Sequence, residues 1–378
     1  MSAATKTKSS IELPIPDWFP EKATGHGRRP WYQANPFIAN LVGAPALARD
    51  GLLELGTKWR KAYNLSSARD DKKRALLMGI DYADTFGHSD AELQVPGAVE
   101  DSYRFSSFLM RNLKVITDTM LTFDSHFVPH VFHTPMWKEK GTGSYPPPFT
   151  AITVDNYQEF EPSDYAPYWV GKDRRYLEQY LAYYVAKLAE PRVFSINGEN
   201  RDRPRDPLIL WPLHAQMGSQ GYTLFPEVEE AVMFHQFARG GRMVAQVKGL
   251  DKLTEAYSPF GSEVTVDFNG DPVGRDSEKI IHMILTYDVV IIGGEAASHC
   301  VRAGIYDILG RILLKDRSLA KKIYLLKDCM SAVPGFEAQA TEALQDFKDA
   351  GMNAVASTDP IESWPGVIQE VIRSRLAA

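Results

Sequence analysis

Asp288 to Leu309 reads DVVIIGGEAASHCVRAGIYDIL. Val289 to Ile292 is an apolar run of the length of a buried strand, and Gly293 and Gly294 end it. The spacing predicts a helix over 296–309, with Val301, Ile305 and Leu309 on one face. Cys300 falls in the first turns of that helix. Helix N-termini carry unpaired N–H groups and a positive dipole, which lower a thiol's pKa and can hold an oxyanion. Strand, glycine turn and helix, with a cysteine near the helix start, is the geometry of a nucleophile. The same cysteine also fits a plainer role, a small buried side chain packing a helix onto a sheet.

Outward from this stretch the pattern repeats. Strands are predicted at 75–81, 119–124, 208–211, 243–248, 289–292 and 323–326, with a short last one at 353–356. Helices are predicted at 46–63, where Pro45 suits the start, and at 100–113, 174–188, 226–237, 279–285 and 336–350. Strands alternating with helices imply an α/β fold: a three-layer α/β/α arrangement with a mostly parallel sheet of about six strands. The pattern breaks at 137–206, where SYPPPF cannot be a central strand. That segment is rich in aromatic residues, and NGENRDRPRD within it reads as a polar loop. Residues 1 to about 40 read as an irregular arm that packs on the rest through Trp18, Phe19, Trp31 and Tyr32. No internal repeat is present.

The chain has 378 residues, 44% hydrophobic and 24% charged, ample for a packed core. A net charge of −6 argues against nucleic-acid or anionic-membrane partners. Two cysteines, Cys300 and Cys329, make no disulfide framework, so a reducing cytoplasm is expected. The N-terminal stretch has no apolar core of a signal peptide, and no run approaches the roughly 18 apolar residues of a membrane span. A small-molecule substrate and a homo-oligomer are the expected partners.

In a parallel sheet, ligands bind beyond the carboxyl ends of the strands. Asp81 ends one predicted strand, Asp124 and His126 another, His214 follows a third, Lys248 ends a fourth, and Cys300 follows a fifth. The chemistry-bearing residues thus gather at one edge. Asp81, Lys248 and Cys300 together suit acyl transfer. A carboxylate of raised pKa takes the thiol proton, and a lysine steadies the thiolate. Taken singly, Asp81 also fits a turn and Lys248 a solvated surface. Asp124, His126, His130, His133 and His214 offer one carboxylate with several imidazoles, a set that suits Zn, Fe or Mn. His133 points away by its spacing. Hydrogen-bonded histidines lining a polar cleft would leave the same trace.

Five stretches, in this order, resemble the nicotinamidase (pyrazinamidase) branch of the isochorismatase-like cysteine hydrolases: ALLMGIDYADTF (75–86), FDSHFVPH (123–130), WPLHAQMGSQG (211–221), VKGLDKLTEAYSPF (247–260) and GGEAASHCV (293–301). The resemblance implies a cysteine-dependent amidohydrolase that cleaves a carboxamide to carboxylate and ammonia through a thioester. It implies Asp81 as base, Lys248 as third member of the triad and Cys300 as nucleophile. The amides of Ala296 and Cys300 would form the oxyanion hole, with a cis peptide at Glu295–Ala296. Asp124, His126 and His214, with His130 as a further candidate, would bind a divalent metal, zinc by first choice, that holds the ring nitrogen of nicotinamide directly or through water. Phe86, Trp211 and Tyr257 would pack the ring.

The pattern is not followed everywhere. Ala83 stands where Gln is usual, Thr85 where a second Asp is usual, Ala215 where a Cys is common, and Glu295 where an apolar residue is common. The expected organisation is an N-terminal extension, 1–72, and a hydrolase domain, 73–378, with an insertion at about 137–206 that would lid or reshape the pocket or contact another subunit. A related enzyme acting on another amide or carbamoyl compound, or a binding-only homologue, remains open at this point.

Overall fold

Six parallel strands form the central sheet: β1 (Ala75–Ile80), β2 (Asp118–Asp124), β3 (Met243–Lys248), β4 (Val289–Gly294), β5 (Ile323–Leu326) and β6 (Asn353–Val355). The computed structural model describes residues 10–19, 48–87, 90–276 and 278–377. Across the sheet the order is β6-β5-β4-β1-β2-β3. The chain therefore starts in the middle, builds one half outward, then returns to build the other. The reversal falls between β1 and β4, and both strands are buried along their whole length. That matches their unbroken apolar runs, which suit a strand covered on both faces.

Gly294 sits at this reversal opposite Ile80. Its φ is +148°, and a Cβ there would lie 2.3 Å from the Ile80 carbonyl oxygen. Only glycine permits this approach, and it draws the end of β4 against the end of β1.

The helices are α1 (Ala48–Ala62), α2 (Ala98–Arg111), α3 (Arg174–Leu188), α4 (Pro226–Arg239), α5 (Glu278–Ile284), α6 (Cys300–Lys315), α7 (Glu337–Asp349) and α8 (Ile368–Leu376). Right-handed crossovers put the β1–β2 and β2–β3 helices on one face and the β4–β5 and β5–β6 helices on the other. The packing agrees: α1 and α2 lie on α4, and α6 lies on α7. No helix among the described residues is long and apolar enough to cross a membrane.

Three expectations need correction. Residues 208–211 are not a strand of the central sheet. Leu208 and Ile209 pair with Ile152 and Ala151 in a separate antiparallel ribbon, and the sixth central strand is 353–355 instead. The amides of Leu210 and Trp211 go instead to Thr150 O and Phe132 O. The helix predicted from 296 begins at Cys300 and runs on to Lys315; 296–299 is a turn. The polar loop is half of a hairpin, Arg192–Ile196 with Glu199–Arg203. Its turn residues, Asn197 and Gly198, have φ of 52° and 85°, as a two-residue Asn-Gly turn requires.

Residues 137–206 are fastened to the rest of the chain. Asp173 caps α3 by accepting from the Tyr176 amide at 2.7 Å. From α3, Tyr180 donates to Leu253 O at 2.6 Å, and the Tyr184 hydroxyl accepts from the Glu255 amide at 2.9 Å. Arg201 and Arg203 pair with buried Asp346 on α7, and Arg192 with Asp307 on α6. Near the N-terminus, Ile11, Leu13, Trp18 and Phe19 are buried. Trp18 meets Phe234 edge-on, with ring centroids 5.2 Å apart. Trp31, Tyr32 and Pro45 lie outside the described residues.

Candidate active site

Lys248 is the hub. Its Nζ, at the end of β3, lies 3.1 Å from Asp81 Oδ2, 2.8 Å from Asp124 Oδ1, 3.0 Å from Ala256 O and 3.5 Å from Cys300 Sγ. β3 pairs with β2 so that Lys248 stands opposite Asp124, which is how the lysine comes to join the carboxylates of two other strands. All four side chains are buried.

Asp81 leaves β1 in a left-handed turn, φ 49°, an uncommon conformation for a residue with a Cβ and one that gathers at functional sites. Thr122, on β2, holds its carboxylate: Thr122 Oγ1 donates to Asp81 Oδ1 at 2.5 Å and accepts from the Asp81 amide at 3.0 Å. Asp81 Oδ2 has the lysine charge beside it but no well-directed hydrogen bond. Burial raises the Asp81 pKa, and the charge of Lys248 only partly offsets it. Burial also holds the Cys300 thiol well above its ordinary value, again eased by Lys248. Burial would pull Lys248 down, but Asp124 and Asp81 outweigh it and keep the lysine charged. The resting site is thus a neutral thiol beside a carboxylate of raised proton affinity, both facing one ammonium.

Cys300 opens α6. In the turn before it, the amide of Glu295 donates to Ile80 O, that of Ala297 to Ser331 O, and those of His299 and Val301 to Ala296 O. The Ala296 and Cys300 amides take no part in that set. The peptide bond Glu295–Ala296 is cis.

Asp124, His126 and His214 bring one ligand atom each within 4.8 Å of one another. His126 Nε2 lies 2.9 Å and His214 Nε2 3.4 Å from Asp124 Oδ2. The far nitrogens face backbone oxygens: His126 Nδ1 is 3.3 Å from Gly249 O and His214 Nδ1 2.9 Å from Pro212 O. With Nδ1–H on a carbonyl, each Nε2 lone pair is directed inward, the usual support of metal-bound imidazoles. Two imidazoles and a carboxylate fit a divalent transition ion such as zinc.

His130 does not join this convergence. Its Nδ1 lies 2.6 Å from Phe127 O, and its ring stacks on Phe127 and Phe132. His133 does not point away, as its spacing suggested. It is buried, with ring centroids 5.8 Å from His126 and 5.9 Å from His214. The loop curls on itself, bringing the His133 amide to His130 O at 2.9 Å, so linear spacing gave the wrong direction.

A small cavity joins the two halves of the site. Phe86, Trp211 and Tyr257 line it, together with Asp124, His214, Lys248, Ala296 and Cys300. The Trp211 indole donates to Tyr257 Oη at 3.2 Å, with the two rings edge-on. Leu93, Glu255, His299 and Val333 also line it, and sequence reasoning missed all four. Burial pushes the Glu255 carboxyl up to about 8 and the His299 imidazole down to about 3. Glu255 lay in plain view inside the 247–260 stretch, and His299 beside the cysteine. Thr122 carried no signal in a strand where Thr is ordinary.

No family model and no curated protein matches this chain. Solved structures do. Yeast nicotinamidase bound to the inhibitor nicotinaldehyde matches at 17% identity and a TM-score of 0.44, over 75% of this chain and 99% of that one. An Acinetobacter baumanii nicotinamidase/pyrazinamidase matches at 14% and 0.44, over 77% and 99%. A Pyrococcus horikoshii pyrazinamidase in complex with zinc matches at 16% and 0.40, over 75% and 99%.

Proposed function

We propose that this chain is a cysteine-dependent amidohydrolase, nicotinamidase-like, that converts a carboxamide to a carboxylate and ammonia. One observation carries the reading: a single buried ammonium, Lys248 Nζ, is within 3.5 Å of Cys300 Sγ and 3.1 Å of Asp81 Oδ2, at the head of a helix. A buried thiol with a carboxylate base, a fixed cation and the Ala296 and Cys300 amides beside it is equipped for acyl transfer.

In this mechanism Asp81 removes the Cys300 proton as Sγ attacks the amide carbon. The carbonyl oxygen becomes an oxyanion and accepts from the Ala296 and Cys300 amides. As the tetrahedral centre collapses, the C–N bond breaks and the proton on Asp81 goes to the leaving nitrogen, releasing ammonia and a thioester. Asp81, ionised again, takes a proton from water. The hydroxyl adds to the thioester carbon, the C–S bond breaks, and Asp81 returns its proton to the sulfur, giving carboxylic acid and thiol. Lys248 stays charged throughout and holds Asp81, Asp124 and the sulfur in register. Asp124, His126 and His214 would hold a divalent ion, which when bound supplies a Lewis-acid anchor for a polar atom of the substrate. Phe86, Trp211 and Tyr257 make an apolar slot suited to a flat ring.

A second reading, an amide other than nicotinamide, is favoured by the Glu255 carboxyl and His299 imidazole in the cavity wall. Neither group serves a bare pyridine ring, and both could serve a substrate with further polar atoms.

The test is ammonia release from nicotinamide and a panel of other amides, with and without a chelator, using Cys300→Ala as the blank. Chelator-sensitive turnover lost in the variant is the expected result. A protein with a reactive thiol and bound metal that releases ammonia from no amide would overturn the proposal.

A further inference from the structure

Glu295 departs from the motif that its neighbours follow, and it is completely buried. Its carboxyl reaches behind the turn that carries Ala296 and Cys300, where Oε2 accepts from the Ser331 amide at 3.3 Å. Ser331 is held twice more. Its hydroxyl donates to Asp101 Oδ2 at 2.5 Å, and its carbonyl accepts from the Ala297 amide at 2.7 Å. Ala296 is thus flanked by two residues, Glu295 and Ala297, that both tie to Ser331. Glycine at 97 makes room for this arrangement: a Cβ there would lie 2.4 Å from Ser331 Oγ.

The Glu295 carboxyl also faces the Asp101 carboxyl, whose charge reaches it. Two carboxylates buried side by side with one guanidinium cannot both stay ionised. One must carry a proton. Asp101 already has the Arg104 guanidinium and the Ser331 hydroxyl, whereas Glu295 Oε1 is buried with no donor in reach among the described residues. The proton therefore belongs on Glu295. The remaining polar groups around the pair are the Tyr82 hydroxyl, which donates to Cys329 O at 2.6 Å, the Cys329 thiol and Asp328. None brings a second positive charge. Burial and the nearby Asp101 charge both hold the Glu295 pKa well above the usual carboxylate range.

We propose that Glu295 is a positioning residue: a protonated carboxyl that, through Asp101 and Ser331, locks the turn presenting the Ala296 and Cys300 amides. The proposal rests on the amidohydrolase reading of the site. It gives the turn a pH dependence of its own. When Glu295 ionises, two buried carboxylates face each other beside one guanidinium, and the turn is pushed from its place. Misplacing an oxyanion donor by about 1 Å costs on the order of a hundredfold in rate.

The experiment compares Glu295→Gln and Glu295→Leu with wild type in three readouts: thermal midpoint, the infrared C=O band of a protonated carboxylic acid at neutral pH, and kcat and KM against pH on whichever amide is turned over. Expected are a protonated-acid band that loses intensity in both variants, the Glu255 carboxyl leaving a remainder, a kcat drop of roughly tenfold or more in Glu295→Leu with KM little changed, and recovery of kcat in Glu295→Gln. The alkaline fall of kcat should move in Glu295→Gln, which cannot ionise. An acid band of equal intensity in wild type and both variants, or a Glu295→Leu protein with wild-type kcat and an unmoved alkaline limb, would overturn the role of Glu295. A kcat loss that Gln does not restore, with a lowered thermal midpoint in both variants, would likewise reduce Glu295 to a packing role. Should wild type turn over no amide while the band loses intensity in both variants, it is the reading of the site that fails, and the oxyanion role falls with it.

Discussion

Lys248 Nζ stands 2.8 Å from Asp124 Oδ1, on the neighbouring strand, and Asp124 Oδ2 faces His126 and His214. One carboxylate therefore belongs to both halves of the site. Burial would raise the pKa of Asp124, but His126 and Lys248 hold it well below the ordinary value. The lysine beside the thiol and the imidazole cluster are linked through two oxygens of a single side chain.

Lys248→Met leaves Asp81 and Asp124 buried without their cation. Breaking a buried ion pair from one side typically costs about 3–5 kcal/mol. Denaturant unfolding should show a loss of that order, and alkylation of Cys300 by iodoacetamide should slow, because the charge that favours the thiolate is gone.

Thr122→Val keeps the shape of the side chain and removes its hydroxyl. Asp81 then loses the hydrogen bond that favours its ionised form, so its pKa rises further. Asp81 acts as a base only when ionised, so the acid limb of kcat/KM against pH should move to higher pH. The unpaired amide and carboxylate should cost about 1–3 kcal/mol of stability. An unmoved limb would mean that Asp81 is not the group titrating there.

Replacing the metal-facing groups should act on metal before it acts on fold. His214→Ala should lower affinity for zinc by more than about a hundredfold, read by competition with a chromophoric chelator. Gly249→Ala is a subtler probe. Gly249 has φ of +76°, and a Cβ would lie 2.6 Å from the His126 ring, so the ring must turn and zinc affinity should fall without loss of any ligand. Unchanged affinity in His214→Ala would remove Asp124, His126 and His214 as the metal site.

Asp118 contributes to acid stability at the opposite edge of the sheet. Burial pushes its carboxyl up, but Arg242, Tyr287 and Arg74 outweigh that and hold it at about 2, against 3.8 unfolded. Its folded pKa is depressed, so its contribution is present above about pH 4 and fades as the pH falls toward 2. With Arg242 largely exposed, the contribution is on the order of 1–2 kcal/mol. Asp118→Asn should lower the thermal midpoint at pH 7 and flatten its decline between pH 4 and 2.

Much of the site was legible in the chain because the fold is local in design. An apolar run followed by a polar residue marks a strand end, and parallel strands put all such ends at one edge. Asp81, Asp124, Lys248 and Cys300 were found that way. The histidine loop was not, because three imidazoles within eight residues say nothing of how the loop curls. Spacing points His133 away, yet it packs beside His126 and His214. Residues 208–211 have a strand's composition but pair with 151–152, a partner that local pattern does not specify.

By itself the sequence determined the α/β alternation, the glycine turn before Cys300, and the strand ends on which the reactive groups sit, since periodicity and chain stops are properties of neighbouring residues. Tertiary structure alone decided that Thr122 holds Asp81, that Asp124 serves both the lysine and the imidazoles, that α3 braces Glu255, and that Glu295 faces Asp101. Those contacts join side chains far apart in the chain. Their geometry depends on strand order, register and crossover packing, and no single stretch of residues encodes these.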